Sequence, residues 1–297
     1  MELCLGTVQF GMDYGIKELK KPLPEDALKC LDYATQNGIA AIDTAAAYGT
    51  AEEIVGAFLK KHTLPRENLF ISTKLLPNRL DCVKPQDYVR VIHEDLKNSL
   101  KILHTDYIDA YLLHSARYAF CPEILDALAV VTKEGLAKYA GVSVYDPQEV
   151  FACAKYANVS FVQMPYSIFD HRMKEHGVFK YGIDGCCKIA IRSVFLQGLI
   201  TLQKEKVPSY LEKAVPFLEK LDKFSKETGK SRIELAIGYV KRETGVSYLV
   251  FGVDSQEQLA EDIKIFENDL SEDLYIEMEK EFKGIQEDIV IPSLWKK

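Results

Sequence analysis

Four side chains that handle protons stand where short apolar runs give out. Asp43 ends IAAID, Tyr48 lies in the small-residue loop TAAAYG that follows, Lys74 ends LFISTK, and His114 ends YIDAYLLH. Read singly, each has an ordinary explanation: a capping acid, a solvated amine, a packing phenol, a satisfied core imidazole. Read together, at successive strand exits, they make a proton donor. A free phenol has a pKa of about 10 and holds its proton at neutral pH. A nearby ammonium favours the phenolate, so Lys74 is expected to lower the Tyr48 pKa. A buried ammonium needs a counter-charge, which Asp43 can provide. The His114 imidazole can donate to a carbonyl oxygen and orient it. Tyr48 would then protonate the alkoxide as it forms. Hydride is the missing part; no side chain carries it, so a nicotinamide or a flavin must.

Something must bring these four exits to one place. Strand-like runs are predicted at residues 3–8, 39–43, 69–74, 107–114, 139–143, 161–164, 188–192 and 247–251. Helical spacing fills 22–36, 52–61, 85–103, 122–135, 147–156, part of 170–181, 208–228 and 231–242, with closing helices at 255–266 and 271–282. Strict alternation implies parallel pairing and right-handed crossovers. The expected fold is therefore an α/β (β/α)8 TIM barrel, a single domain over 1–297 with additional C-terminal helices. The 297 residues suit a barrel of about 250 plus those helices. Strand ends in such a barrel converge on one face, where active sites form. An open doubly wound sheet would need a glycine-rich turn after its first strand, and GTVQFG lacks that spacing.

Composition narrows the partners. A formal charge of −7 argues against non-specific nucleic-acid binding, which needs a basic face. No apolar run approaches the ~20 residues of a membrane span, and no leader precedes Leu3. Seven scattered cysteines are expected to be free thiols in a reducing, cytoplasmic setting. Adjacent Cys186 and Cys187 have no second pair at zinc-site spacing, so no metal is expected. His171 and His176 are expected to be solvated on a polar helix, and the Lys- and Glu-rich stretch 204–230 to be an exposed helical face.

The ordered set of motifs resembles the aldo-keto reductase family. The matching pieces are LGTVQFG at the start, DTAAAYG at residues 43–49, STK ending on Lys74, LLH ending on His114, GVS at 141–143, VQMPYS around Gln163, SVFLQGL after the seventh strand, and FGVDSQEQLAED near the end. They run in family order over nearly the whole chain. The resemblance implies an Asp43–Tyr48–Lys74–His114 tetrad and an NADP(H) or NAD(H) cofactor extended across the barrel mouth. It also implies reversible reduction of an aldehyde or ketone, and a monomer or small homo-oligomer. It places Thr7 and Asp43 beside the cofactor, Ser143 and Gln163 on the carboxamide, and Ser193, Phe195, Gln197 and Gly198 at the pyrophosphate. Gly252, Ser255, Gln258 and Asp262 fall at the adenosine end. The chain departs from the family pattern at Val144, at Arg192 in place of a ring-stacking Tyr, at Gln258 in place of an Arg for the 2'-phosphate, and at Asp262 in place of an Asn. A guanidinium plane can also stack on a ring. The missing cation, with Asp254 and Glu261 nearby, implies weak discrimination between NADP and NAD.

Aromatic residues near the expected mouth, Phe10, Tyr14, Tyr118, Phe120 and Trp295, would suit a sugar or another ring, and Asp13, Arg117 and Arg192 a hydroxylated or anionic substrate. Two other function classes remain: a cofactor-binding regulatory subunit with little turnover, and a barrel aldolase using Lys74 as a Schiff-base amine. What closes the bottom of the barrel is open, because the family's N-terminal hairpin has almost no room before the first strand.

Overall fold

The computed structural model describes residues 1–16 and 20–295. Eight parallel strands close into a barrel in sequence order. They are β1 (Glu2–Gly6), β2 (Ala41–Asp43), β3 (Phe70–Leu75), β4 (Ile108–Leu113), β5 (Ala137–Ser143), β6 (Phe161–Pro165), β7 (Lys188–Arg192) and β8 (Tyr248–Phe251). β1 pairs with β2 on one side and β8 on the other, which completes the ring. The expected (β/α)8 fold is therefore observed. Among the described residues no helix is long and apolar enough to cross a membrane.

Strand ends differ from the sequence reading by a residue or two. β1 stops at Gly6, and Val8–Gly11 turns into a short helix. Lys74 is the penultimate residue of β3, and His114 lies just past the end of β4. Both side chains still reach the C-terminal face, because one residue more or less of ladder leaves an inward position inward. Three expected helices are broken. Residues 122–135 divide into Pro122–Leu128 and Val130–Lys133, where the Ala129 N–H bonds three residues back to Asp126. Residues 208–228 begin as a 3-10 turn, Ser209–Ala214, before the helix Val215–Thr228. Stretch 204–230 is accordingly not one exposed face, since Leu211, Leu218, Leu221 and Phe224 are buried. Within 170–181 there are only two single-turn pieces, Arg172–Glu175 and Lys180–Ile183.

The barrel interior is layered. At the N-terminal strand ends Phe70 stacks on Tyr248 with centroids 4.4 Å apart and on Phe161 at 5.8 Å. These rings floor the barrel, the part the sequence left open. Above them lie the small or slim Cys4, Ala41, Ala110, Leu112, Ala190 and Val250. The top layer is polar: Asp43, Ser72, Lys74, Ser143 and Gln163 are all buried. The outer core packs strands against helices. The C-terminal helix Glu272–Glu281 closes the outside, and just beyond it Phe282 packs on Phe169 and Phe224.

Candidate active site

The top layer is built around one carboxylate. Asp43 Oδ1 accepts from Lys74 Nζ at 2.9 Å, Ser72 Oγ at 2.7 Å and Gln163 Nε2 at 2.8 Å, and Oδ2 accepts from Lys74 Nζ at 2.8 Å. The third lysine bond goes to the Thr44 carbonyl at 2.9 Å. Lys74 is fully buried. Burial, the largest single effect, lowers its pKa, but Asp43 and Tyr48 together outweigh that, so the amine stays charged with a pKa above its usual value.

Tyr48 is held over this pair by a close approach of two loops. A Cβ on Gly11 would lie 1.7 Å from the Tyr48 carbonyl oxygen, and one on Gly49, at φ +56°, would lie 2.3 Å from the Gly11 oxygen. Only glycine fits both positions. The ammonium sits 4.9 Å from the Tyr48 ring centroid, and the His114 ring meets Tyr48 edge-on at 5.7 Å. The net pKa shift of Tyr48 is upward, contrary to the sequence expectation. Burial is the larger effect, and Lys74 offsets only part of it. The phenol therefore carries its proton firmly at neutral pH. Burial, then the Lys74 and Arg192 cations, push the His114 pKa down to about 3. His114 is thus neutral, and its buried Nδ1 has no hydrogen-bond partner among the described residues.

These groups open into a cavity of about 600 Å³, within the size range of ligand sites. It runs from Thr7 at β1 past Asp43, Tyr48, His114, Ser143 and Arg192 to Ser193, Phe195, Gln197 and Gly198 after β7, and to Gly252 and Gln258 after β8. The loop after β7 is held in unusual geometry, with positive φ at Ser193, Leu196, Gln197 and Gly198. It docks on the loop after β1, where the Ile16 N–H donates to Gln197 O at 3.0 Å. Between the neighbouring loops after β1 and β8, Gln9 Nε2 donates to Asp254 Oδ1 at 3.0 Å. Gly252 leaves room for this bridge, since a Cβ there would lie 1.8 Å from Gln9 Oε1.

The fit to a nicotinamide is visible in one orphaned atom. Because the Asp43 carboxylate only accepts, the Gln163 amide must turn its nitrogen toward it. That leaves the buried Oε1 without a partner among the described residues, beside the paired residue Ser143. A carboxamide N–H would meet that acceptor. Three expected cofactor residues lie outside the cavity lining: Gln163, buried just beneath it beside Ser143, and Ser255 and Asp262. Ser255 caps the helix Gln256–Phe266 by accepting from the Gln258 N–H. Asp262 is buried on that helix with both oxygens unpartnered among the described residues. Burial, then Glu261, raise its pKa to about 7.

The expected substrate-facing aromatics divide. Tyr14 lines the cavity. Phe10 is core, the Tyr118 hydroxyl is spent on Asp81, Phe120 is exposed, and Trp295 is buried with Nε1 on the Ile289 carbonyl. Asp13 accepts from the Lys21 N–H, and Arg117 pairs with Asp81, so neither reaches the cavity lining. His171 is buried rather than solvated: it bonds the Ile168 carbonyl and stacks on Tyr239. Tyr145, Gln9 and Thr201 line the cavity and were missed. Tyr145 had a signal, since it lies two residues beyond the strand exit Ser143.

Comparison with known proteins identifies the family and agrees with the fold. The Aldo/keto reductase family profile matches residues 2–281. Aldo-keto reductase YhdN of Bacillus subtilis is 30% identical over 78% of this chain and 76% of its own length. The NADH-specific methylglyoxal reductase of Escherichia coli is 27% identical over 82% and 84%. Among solved structures, the holo form of aldo-keto reductase AKR11C1 from Bacillus halodurans superposes with a TM-score of 0.76 at 26% identity, covering 97% of this chain and 94% of that one.

Proposed function

The chain belongs to the aldo/keto reductase family, and on that premise we propose that it reduces an aldehyde or ketone with hydride from NAD(P)H and the proton of Tyr48. The observation that carries this reading is the buried ion pair beneath a protonated phenol. Lys74 is held charged by both oxygens of Asp43, under Tyr48, beside a neutral His114. The bound cofactor supplies the two electrons and the hydrogen that form the new C–H bond at the carbonyl carbon. His114 donates to the carbonyl oxygen and fixes its direction. Tyr48 gives its proton to that oxygen as negative charge builds, and the Lys74 cation steadies the phenolate left behind. Ser143 and the Gln163 oxygen hold the carboxamide. Asp43 keeps Lys74 charged, which also tells against a Schiff-base aldolase, since that needs a neutral amine.

The adenosine end carries Asp254 and Gln258 but no lysine or arginine among the cavity-lining residues there. A 2'-phosphate would thus find no cation, and NADP(H) and NAD(H) should bind within about tenfold of one another. A thousandfold preference for NADP(H) by titration would refute that. The substrate reading is a hydroxylated or dicarbonyl compound small enough to pass Tyr14 and Tyr145. The decisive experiment is a carbonyl screen with both cofactors, covering methylglyoxal, aldoses, nucleotide sugars and aromatic aldehydes, with Tyr48→Phe alongside. Turnover that vanishes in Tyr48→Phe supports the reductase. Tight cofactor binding without turnover supports the regulatory reading instead, and borohydride trapping on Lys74 the aldolase.

A further inference from the structure

Arg192 ends β7 inside the cavity. Its guanidinium stacks on Tyr145, with the central carbon 4.4 Å from the ring centroid. It donates to the Val144 carbonyl at 2.9 Å and to Ser193 Oγ at 3.2 Å. These contacts fix the plane but none carries a negative charge, and Arg192 takes part in no salt bridge among the described residues. Every other charge at the reacting centre is balanced or absent. Lys74 is matched by Asp43. His114 is neutral, and Tyr48 and Tyr14 hold their protons. Asp254 sits at the β8 side, bonded to Gln9, and the charges felt at His114 are those of Lys74, Arg192 and Asp43. The reacting end of the cavity therefore carries a net positive field from one fixed guanidinium.

That field distinguishes the two oxidation states of a nicotinamide. The reduced ring is neutral, and giving up hydride turns it into a cation. For transfer the ring carbon must come within about 3–3.5 Å of the carbonyl carbon, which Tyr48 and His114 hold. The ring is thereby confined to the region where the Arg192 charge is felt. We propose that Arg192 makes this cavity select reduced over oxidised nicotinamide cofactor, so that the chain loads with the hydride donor in preference to its spent form. A neutral π-face gains from a stacked guanidinium, whereas a cationic ring is repelled by it.

The inference rests on the nicotinamide reading above, and the test separates the two. Dissociation constants for NADH, NAD+, NADPH and NADP+ are measured by calorimetry for the parent chain, Arg192→Gln and Arg192→Lys. One unit charge at close range and an effective dielectric near 20 implies at least about a tenfold preference for the reduced form in the parent chain. Arg192→Gln should shrink that preference about tenfold, mainly by tightening the oxidised form. Arg192→Lys, which keeps the charge but not the plane, should retain most of it. A ratio unchanged in Arg192→Gln, or lost equally in Arg192→Lys, overturns the electrostatic assignment while leaving the reductase intact. No binding of any form by a parent chain that melts cooperatively overturns the cofactor reading and this one with it.

Discussion

Replacing Asp43 with Asn probes the centre of the site without changing its shape. In the parent chain the two carboxylate oxygens accept four hydrogen bonds, two of them from Lys74. An asparagine has one acceptor oxygen and one NH2 donor. If its oxygen keeps the Ser72, Gln163 and first Lys74 bonds, its NH2 faces the second Lys74 bond, 2.8 Å in the parent chain, donor to donor. The clash is relieved when Lys74 loses a proton and accepts. Removing one partner of a buried pair costs about 3–5 kcal/mol. The pH dependence identifies the cause. In the parent chain the Lys74 pKa is raised, so its contribution is present below the unfolded value near 10.4 and is lost as pH rises through the folded value. In Asp43→Asn burial loses its main opponent, the folded pKa falls below the unfolded one, and the unfolded chain binds the extra proton. Stability of the variant then rises with pH toward about 10, by up to about 1.4 kcal/mol per unit. Urea unfolding from pH 6 to 10 measures both. Parallel pH profiles for variant and parent, or a loss under about 1 kcal/mol at pH 7, would refute the ion-pair argument.

Three further outcomes are expected. Tyr48→Phe should keep cofactor affinity and lower kcat by about 10²–10⁴, the usual worth of a general acid; unchanged turnover would remove Tyr48 from the chemistry. His114 has its folded pKa lowered to about 3, so its neutral form favours folding above pH ~6.5 and that contribution is lost as pH falls from there toward the folded value. His114→Gln should flatten the acid limb of the stability profile by about one proton, read from urea midpoints at pH 4 and 7. Asp262, with its pKa raised to about 7, favours folding while protonated and penalises it increasingly as pH rises from about 4 to 7. Asp262→Asn should therefore stabilise by about 1–2 kcal/mol at pH 8 and by less at pH 5. An equal effect at both would mean the carboxylate finds a partner.

Much of the fold was legible because a parallel barrel writes itself as repeated apolar runs, and the tetrad was legible because each run broke on a chemically odd residue. Strand ends were not, since a ladder continues until its neighbour's register runs out: β3 gains Leu75 from pairing with Leu113. The direction of the Tyr48 shift was missed because sequence reveals the neighbouring cation but not how much water the fold removes, and here the second effect is larger. Loop aromatics were hardest. Phe10 and Tyr14 lie in one connection, yet one enters the core and the other the cavity, because the turn between them sets the direction of each. The floor of the barrel escaped for a related reason: Phe70, Phe161 and Tyr248 each open a strand, and only closure of the ring makes them neighbours.

That floor makes the compartment around Lys74 a cul-de-sac. Stacked rings seal the far end, so water and protons arrive by the same doorway as the substrate. In a chain working as proposed, the spent phenolate cannot be rearmed while alcohol still fills the entrance. Departure of product and recovery of the acid then become one event, and a bulky product that lingers would hold back the next proton as well as the next substrate.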